Sequence, residues 1–324
     1  ELGNRVFSYT YRLKTVHLPA LTKVGSNTFY YAPDASFTAP SGSYSLTTVT
    51  FADGTTDIGT GTFYSHGGFS SLTTVTLPDS VKESTTSVGA LTFYGCTALT
   101  SLNLGVLTDV GDFAFYGCKA LTGLDLSAVK TVGSHAFDGC AALTVGELSE
   151  TRYIGDFAFA GTAVTSVNLS SCLSVGKSAF ADSRLSSVTG TAALTYLGDY
   201  AFANTKLSGT FTFPASLTEK AGRIGKGVFI GTDVDTLATE HDGAYFVRDG
   251  LLFSVLPNGT VQLDMCPPAR EGTAYTVPSD VTRVADDAFR TVKNLTKVTF
   301  SDGILSIGDK AFYKCGAKEF VFLG

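Results

Sequence analysis

The six cysteines are the side chains of this chain most able to do redox or metal chemistry. Four occupy one position of a recurring pattern, and two lie elsewhere: Cys96, Cys118, Cys140 and Cys315, then Cys172 and Cys266. Other copies of the pattern carry Thr162, Ser183 or Thr232 at that position. Cysteines stacked about 5 Å apart on neighbouring copies would meet the Cα distance of a disulfide. Threonine or serine at the same position instead favours buried free thiols, and no Cys-x-x-Cys pair of a zinc site occurs.

The histidines offer no catalytic or metal-binding arrangement. They are scattered over four copies of the pattern: His17, His66, His135 and His241. We expect His17 on an exposed strand face and His135 on a turn. His241 with Asp242 is the only pairing that could do chemistry, and no Gly-x-Ser-x-Gly nucleophile motif occurs. The sequence therefore predicts a protein that is not an enzyme and that needs no metal or cofactor.

Composition and charge exclude two classes of partner. Hydrophobic residues make up 44% of the 324 residues, charged residues 16%, and the net charge is −6. Nucleic-acid binding needs clustered Lys and Arg, so this balance argues against it. No apolar run reaches the roughly 18 residues of a membrane span. The sequence begins at Glu1 without a signal peptide, so we expect any export signal or anchor to be missing from it.

The chain is built from repeats, which must position every functional side chain. A segment that starts at Val110 recurs at Val132 and Ile154, each time after 22 residues. Aligned on its second and sixth residues, the chain shows about twelve copies. The glycines are Gly3, Gly25, Gly59, Gly89, Gly111, Gly133, Gly155, Gly176, Gly198, Gly225 and Gly308, with Ala285 in the same place, and the phenylalanines are Phe7, Phe29, Phe63, Phe93, Phe115, Phe137, Phe159, Phe180, Phe202, Phe229, Phe289 and Phe312. A period of this length indicates a solenoid.

Each part of the repeat carries a structural prediction. The phenylalanines should stack ring on ring in a continuous core. The glycine should lie where φ is positive or where a side chain would strike the adjacent coil. Alternating runs after the phenylalanine, such as residues 72–77 and 121–126, predict one half-buried strand per repeat in a parallel sheet. The stretch from the glycine to the cysteine is predicted to be a helical turn.

Three insertions interrupt the register, around residues 31–44, 65–69 and 240–278. The last should form an island with strands at residues 244–247, 251–254 and 261–264, joined by hairpin turns. The predicted organisation is one continuous solenoid domain: repeats one to ten in residues 1–239, the inserted β-hairpin island in residues 240–278, and repeats eleven and twelve in residues 279–324.

The pattern (Ile/Val)-Gly-x-x-Ala-Phe-x-x-Cys-x-x-Leu-Thr resembles the leucine-rich repeats of the BspA type, known from surface proteins of Bacteroidetes and treponemes. Residues 110–126 and 154–169 are close matches, and the Leu-Pro ending recurs at Leu18-Pro19 and Leu77-Pro78. The resemblance implies an α/β repeat fold, a right-handed leucine-rich-repeat solenoid with a parallel β-sheet and short helical turns. It also implies a bacterial protein that is secreted or anchored at the cell surface, where some members are adhesins for host matrix proteins or other bacteria.

Two surfaces could bind a partner. The exposed sheet face carries small polar residues and no aromatic ring, whereas binding hot spots favour Trp, Tyr and Arg. The insertions carry tyrosines and phenylalanines, as many paratopes do, although these rings could form a small core of their own. The candidate binding residues from both surfaces are Tyr30, Tyr31, Tyr44, Thr76, Asn103, Asp125, Asn168, Tyr245 and Phe246.

The sequence thus predicts an exported, extracellular or surface-anchored protein that adheres by protein–protein contact and not by chemistry. Its partner would be a host matrix protein or another surface protein. Two alternatives stay open at this stage: a glycan-binding surface protein, which would need exposed aromatic platforms, and a structural spacer.

Overall fold

A computed structural model describes residues 1–10, 12–18, 21, 23–30, 45–52, 55, 58–64, 69–78, 87–102 and 104–324. The chain forms a parallel β-solenoid of about twelve turns with almost no helix. It divides into two compact units, Glu1–Asn168 and Leu169–Gly324. The predicted boundaries at residues 240 and 278 remain a prediction.

The described residues of the first unit form eight strands: β1 Thr15–Leu18, β2 Thr48–Phe51, β3 Thr74–Thr76, β4 Ser87–Val88, β5 Asp109–Val110, β6 Thr131–Val132, β7 Tyr153–Ile154 and β8 Ser166–Asn168. Strands β1, β2 and β3 pair in parallel in that order, and so do β4, β5, β6 and β7. The second row of strands ends at the residue before the repeat glycine. It is a row that the sequence did not predict.

The second unit contains the remaining strands: β9 Ser174–Val175, β10 Ser187–Thr189, β11 Tyr196–Leu197, β12 Ser208–Phe213, β13 Asp233–Thr239, β14 Tyr245–Arg248, β15 Leu251–Val255, β16 Val261–Met265, β17 Ala274–Thr276, β18 Val281–Val284, β19 Lys297–Phe300, β20 Ser306–Ile307 and β21 Glu319–Phe322. A 3₁₀ turn spans Thr191–Ala193, and one short helix, α1, spans Ala215–Thr218. Strand β9 pairs with β11, β12 with β13, and β17, β19 and β21 form a sheet in that order, all in parallel.

Strands β14, β15 and β16 pair antiparallel, close to the three strands predicted there. They are not set apart from the repeats, because β16 also pairs in parallel with β18, and β18 with β20. Their core is shared as well: Phe253 and Leu263 belong to one buried cluster with Phe289 and Val298. The prediction that the rings of this segment form a small core of their own is therefore wrong.

The stacked phenylalanine core is confirmed. Ring centroids lie 5.2–5.3 Å apart along Phe7, Phe29, Phe63, Phe93, Phe115, Phe137 and Phe159. In the second unit the spacings are 5.8 and 6.0 Å along Phe180, Phe202 and Phe229, and 4.7 Å between Phe289 and Phe312. These distances suit offset stacking, which adds about 1 kcal/mol per pair to the burial of the rings.

The stretch after each repeat glycine is a series of tight turns and not a helical turn as predicted. The second residue after the glycine is left-handed, with φ of 56°, 55° and 56° at Phe113, His135 and Phe157. An α-helix cannot continue through that conformation. The backbone N–H groups of Phe113 and Phe115 donate instead to the next coil, to Ser134 O at 2.9 Å and Ala136 O at 2.8 Å.

The predicted strand is also missing from residues 121–126. The backbone there forms an isolated parallel β-bridge between Gly123 and Thr144. Gly123 and Asp125 occupy strand positions in this repeat, and both residue types disfavour strands. The alternation survives in part, because Leu121 and Leu126 are buried while Asp125 is exposed.

The six cysteines are free thiols, and all except the half-buried Cys315 are buried, as predicted. The Sγ atoms of Cys118 and Cys140 contact the Phe93 and Phe115 carbonyl oxygens at 3.1 and 3.0 Å. Burial raises the pKa of the Cys96 and Cys118 thiols. Both therefore stay protonated and unreactive near neutral pH.

The repeat glycine is required because the coils approach closely, which confirms the second of its two predicted reasons. A Cβ built on Gly155 would lie 2.6 Å from Ser134 N and 2.7 Å from Gly133 C, both backbone atoms. Ala285 fits at the same repeat position because the layer before it is strand β16 and not a repeat turn.

Replacing this glycine should destabilise the fold. We expect Gly155→Ala to lower the free energy of unfolding by about 1–3 kcal/mol, because the backbone of two coils must move apart. Gly146→Ala is the matched control, since its Cβ would meet nothing within 4 Å. Urea unfolding followed by circular dichroism measures both. Equal stability of the two variants would contradict the close-contact explanation.

Candidate functional site

Two outward positions of the repeat turn carry aromatic residues in several coils of the first unit. Tyr30, Tyr64, Tyr94 and Tyr116 each follow directly on the buried repeat phenylalanine, and each is half-buried. Phe113, His135 and Phe157 stand at the left-handed position and are also half-buried. These seven residues are called the aromatic ladder below.

The four tyrosines contact one another from coil to coil. The centroid distances are 5.4 Å from Tyr30 to Tyr64, 5.1 Å from Tyr64 to Tyr94, and 4.8 Å from Tyr94 to Tyr116. At the first rung, Tyr9 packs edge-on against Tyr30 at 6.3 Å. The Arg5 guanidinium lies over the Tyr30 ring at 5.1 Å. The row is therefore held on both sides by neighbouring rings.

The second row is stacked more closely. His135 lies between Phe113 and Phe157 at 4.6 and 4.7 Å, with interplanar angles of 7° and 8°. His135 Nδ1 is 2.8 Å from an Asp138 carboxylate oxygen, which fixes the orientation of the imidazole. The two rows meet where Tyr116 approaches Phe113 at 5.8 Å.

Stacking decides which parts of these rings a partner could reach. Tyr94 and Tyr116 are nearly parallel, with an interplanar angle of 12°, so each covers one face of the other, whereas Tyr64 meets Tyr94 edge-on at 61°. Burial, with smaller contributions from Tyr116 and Tyr64, raises the pKa of the Tyr94 hydroxyl. Tyr94 therefore presents a neutral O–H group, able to donate and accept a hydrogen bond.

The strand side of the first unit holds two of the candidates predicted from sequence. Thr76 is exposed and lines a recess of about 360 Å³ together with Thr74, Thr100 and Ser101. Asp125 is exposed and lines another of about 420 Å³, walled mainly by leucines. Hydrogen bonds from Ser127 lower the pKa of the Asp125 carboxyl, and its Oδ1 accepts from Ser127 N at 3.0 Å.

The other candidates are dispersed. Asn168 is half-buried in β8. Tyr245 is buried, with 5% of its surface exposed, and its hydroxyl accepts from Gly222 N and donates to Ile224 O. Phe246 stacks on Phe253 at 5.5 Å beneath the Arg248 guanidinium. The rings of the predicted island therefore pack inward.

Three candidates, Tyr31, Tyr44 and Asn103, lie outside the described residues, as do residues 31–44 of the first insertion and His66. His17 is exposed on β1, as predicted. His135 lies on its turn, and His241 is exposed.

The repeat pattern is matched by a known family. Residues 36–144, 108–234 and 271–323 match the BspA type leucine rich repeat region, in six copies. The chain belongs to the BspA-type leucine-rich repeat family. No curated protein sequence matches it. Across the described residues, no helix is both long and apolar enough to cross a membrane.

Solved structures show a similar fold. A leucine-rich repeat protein from Bacteroides ovatus has a TM-score of 0.60 and 21% identity, over 96% of this chain and 92% of that one. A leucine rich cell surface protein from Faecalibacterium prausnitzii has a TM-score of 0.50 and 23% identity, over 97% of this chain and 70% of that one. The pneumococcal vaccine antigen PcpA has a TM-score of 0.50 and 18% identity, over 98% of this chain and 63% of that one. At these identities the likeness concerns the fold alone.

Most of the aromatic ladder was missed from the sequence of this BspA-type chain. Tyr30 was singled out for its place beside an insertion. Its equivalents Tyr64, Tyr94 and Tyr116 were not. A signal existed, because each of them follows the repeat phenylalanine in consecutive copies.

Proposed function

We propose that this BspA-type protein is exported, displayed at the cell surface, and adheres by binding another protein along the aromatic ladder. The observation that carries the proposal is the set of half-buried rings in the first unit, each stacked or edge-on against its neighbours. The surface location is supported by the name of the Faecalibacterium structure, a cell surface protein.

The ladder is suited to protein contact because it is ordered before binding. Tyrosine supplies a large contact area with few rotatable bonds, and binding hot spots are enriched in it. Stacking on both sides removes most of the remaining side-chain freedom, so little entropy is lost when a partner docks.

The same geometry favours a protein over a glycan. Sugars bind aromatic residues through the ring faces, and the stacked pairs Tyr94–Tyr116 and Phe113–His135 cover the faces that they turn to each other. The exposed ring edges and hydroxyls match the polar and apolar mixture of a protein surface. The partner we propose is a host matrix protein or another bacterial surface protein.

The strand side supports the proposal as a second, weaker contact area. Thr76 and Asp125, with Asn103 and Asn168 proposed beside them, offer small polar groups without a large ring among the described ones. Such a surface is suited to the hydrogen-bonded rim of an interface and not to its hot spots. We propose Tyr31 and Tyr44, which follow Tyr30 in the chain, as further contacts. Tyr245 and Phe246, also candidates from the sequence, pack inward and are not part of the proposal.

The double variant Tyr94→Ala/Tyr116→Ala tests the proposal. We expect it to weaken binding to matrix proteins by roughly thirtyfold or more, the loss of one hot spot of about 2 kcal/mol. Immobilised fibronectin, collagen, laminin and fibrinogen are the probes, read by surface plasmon resonance. A glycan array is read in parallel.

Tyr153→Ala/Tyr196→Ala is the matched control, because both rings are exposed at strand ends and neither belongs to the ladder. It should bind as the parent chain does. Melting curves of all variants separate lost binding from lost folding. Equal binding by both double variants would rule out binding through the aromatic ladder. Absence of binding to every protein and glycan tested would favour a structural spacer.

A further inference from the structure

The parallel sheet on the strand side of the first unit is interrupted after β3. Strands β1, β2 and β3 pair in that order, and β3 lies at the end of this sheet. The next coil passes β3 at residues 100–102 but forms no strand there. Among the described residues, no backbone hydrogen bond joins residues 73–77 to residues 100–102. The place where these two segments fail to pair is called the strand gap below.

The strand gap leaves backbone groups on both sides without a partner. Thr74 N donates to Thr47 O at 3.2 Å, towards β2. Successive N–H groups of a strand point to opposite edges, so the Val75 N–H faces the gap. On the other side, the Ser101 N–H has no acceptor among the described residues. Such an edge is a template for another extended chain.

A recess of about 360 Å³ lies at the strand gap and is lined by both segments. Thr74, Thr76, Thr100 and Ser101 are exposed, so a partner reaches the recess directly from solvent. No charged side chain and no aromatic ring lines it. The recess therefore favours an uncharged polar group such as a polypeptide backbone, and it lacks the ring on which a sugar would stack.

A second recess, of about 420 Å³, adjoins the first, because Leu102 lines both. Gly123 leaves it open, whereas the next coil carries Val145 at the same repeat position. The half-buried Leu124 forms part of its wall. This recess is therefore suited to an aliphatic chain.

The far end of the second recess is acidic. Asp125 lines it and is exposed. Hydrogen bonds from Ser127 lower the pKa of the Asp125 carboxyl, so it is ionised at neutral pH. Glu147 occupies the same repeat position in the next coil and is exposed as well. The charge here is complementary to a cation on the partner.

We propose that the strand gap binds an extended segment of a partner protein by strand addition, with a Lys or Arg of that segment lying across the second recess to Asp125. The inference rests on the proposed function and names the part of the bound protein that meets the strand side. The segment's backbone pairs with the open edge of β3 and with Ser101, as in other strand-addition complexes.

A long basic side chain fits the second recess along its whole length. Its aliphatic stem covers Leu124 while its charged end stays in water beside Asp125. Neighbouring strands lie about 5 Å apart, so Asp125, one coil beyond Ser101, is within reach of an extended Lys or Arg. An acidic side chain at that place would be repelled.

A hexapeptide library of the form acetyl-Thr-Xaa-Arg-Xaa-Thr-Val-amide, with Xaa varied, tests the proposal. Fluorescence anisotropy measures its binding to the whole chain near neutral pH. We expect saturable one-to-one binding of at least one member. Replacing its Arg by citrulline, which is neutral and of similar shape, should weaken binding about fivefold, the most that an exposed ion pair contributes.

An N-methyl scan of the tightest peptide separates strand addition from other modes of binding. In strand addition, the N–H groups of the peptide face the edge of β3 at every second residue. Methylation should therefore weaken binding by about threefold to tenfold at alternate residues, the worth of one hydrogen bond, and have little effect at the residues between them.

Two substitutions place the basic side chain. Asp125→Asn should lower the affinity of the Arg peptide to that of the citrulline peptide. Gly123→Val should weaken both peptides about tenfold, the worth of roughly two buried CH₂ groups, because its side chain fills the second recess. The fold has room for it, since a Cβ on Gly123 would meet only Thr144 O, at 3.8 Å. Asp109→Asn is the matched control, because Asp109 is exposed on β5 and lines neither recess.

Three outcomes overturn the proposal. One is that no peptide binds more tightly than about 1 mM, which would leave water as the partner of the open backbone groups. Another is unchanged affinity for the Arg peptide in Asp125→Asn, with a melting curve that shows a folded protein. The third is an equal effect of N-methylation at adjacent residues.

The aromatic ladder is tested separately from the strand gap. Tyr94→Ala/Tyr116→Ala should bind the peptides as the parent chain does, because neither ring lines a recess of the gap. Peptide binding that survives when matrix-protein binding fails would contradict the proposed function alone. Loss of both in the ladder variant, with the fold intact, would contradict the strand gap as a site of its own.

Discussion

Phe115→Ala should lower the free energy of unfolding by about 3–5 kcal/mol, the usual cost of emptying a phenylalanine site in a core. Phe115 is fully buried, and its ring stacks on Phe93 and Phe137 at 5.2 Å on both sides. Truncation therefore removes two ring contacts and leaves a cavity that the stacked coils cannot close. Backbone hydrogen bonds of 2.7 and 2.8 Å hold the layers on either side in place.

Denaturant unfolding of the parent chain, Phe115→Ala and Phe137→Ala measures this effect. Phe137→Ala should cost a similar amount, since it has the same stacked surroundings. Thr76→Ala is the control and should change stability by less than about 0.5 kcal/mol, because Thr76 is exposed. A loss of unfolding free energy below about 1 kcal/mol in both phenylalanine variants would show that the stacked rings do not stabilise the core.

Asp264→Asn should raise stability near neutral pH, by up to about 3 kcal/mol, and have little effect below pH 4. Burial raises the pKa of the Asp264 carboxyl from the usual 3.8 to about 6, while hydrogen bonds from Ser254 and Gln262 act in the opposite direction. A shift of this size corresponds to about 3 kcal/mol. That figure is an upper value, because Asp264 is half-buried by its exposed surface and water screens part of the penalty.

The sign follows from proton linkage. The folded chain holds the Asp264 proton more tightly than the unfolded chain does. The contribution of this carboxyl to stability is therefore complete below pH 4 and is lost as the pH rises through 6. Lys226, Tyr245, Arg283 and Asp286 line one recess of about 310 Å³ together with Asp264. The Lys226–Asp286 pair stays ionised across this range, because their hydrogen bond raises the pKa of Lys226 and lowers that of Asp286.

Urea unfolding of the parent chain and Asp264→Asn at half-unit steps from pH 4 to pH 8 measures the effect. The difference in unfolding free energy between the two should grow with pH and level off above about pH 7. Asp302→Asn serves as the control and should show a flat difference. A flat difference for Asp264→Asn as well would mean that the carboxyl is hydrated and not buried.

Some features of the fold could be read from local sequence because they recur in every coil. The spacing of Gly111, Gly133 and Gly155 placed the coils in register, and Phe115 and Phe137 placed the core. Each residue contacts its equivalents in the neighbouring coils, so the contacts recur with the same period as the sequence. The buried cysteines followed from the same register.

Other features were wrong or unseen because local spacing does not report backbone conformation. The turn after the glycine was predicted to be helical because alanine and phenylalanine share a side there. Left-handed residues such as His135 break any helix, and the N–H groups bond to the next coil instead. The short strands that end before each glycine were missed since two residues carry no visible alternation.

The sequence by itself determined the repeat, the stacked core and the BspA-type family, because these depend on contacts that return every 22 residues or so. Only the tertiary structure decided which rings meet on the outside and which carboxyl is buried. The tyrosine row of the aromatic ladder forms because coils stack about 5 Å apart. Asp264 is enclosed because β16 joins β18 while a turn some forty residues earlier closes over it. Such contacts join residues at irregular separations along the chain, so the repeat period of the sequence does not predict them.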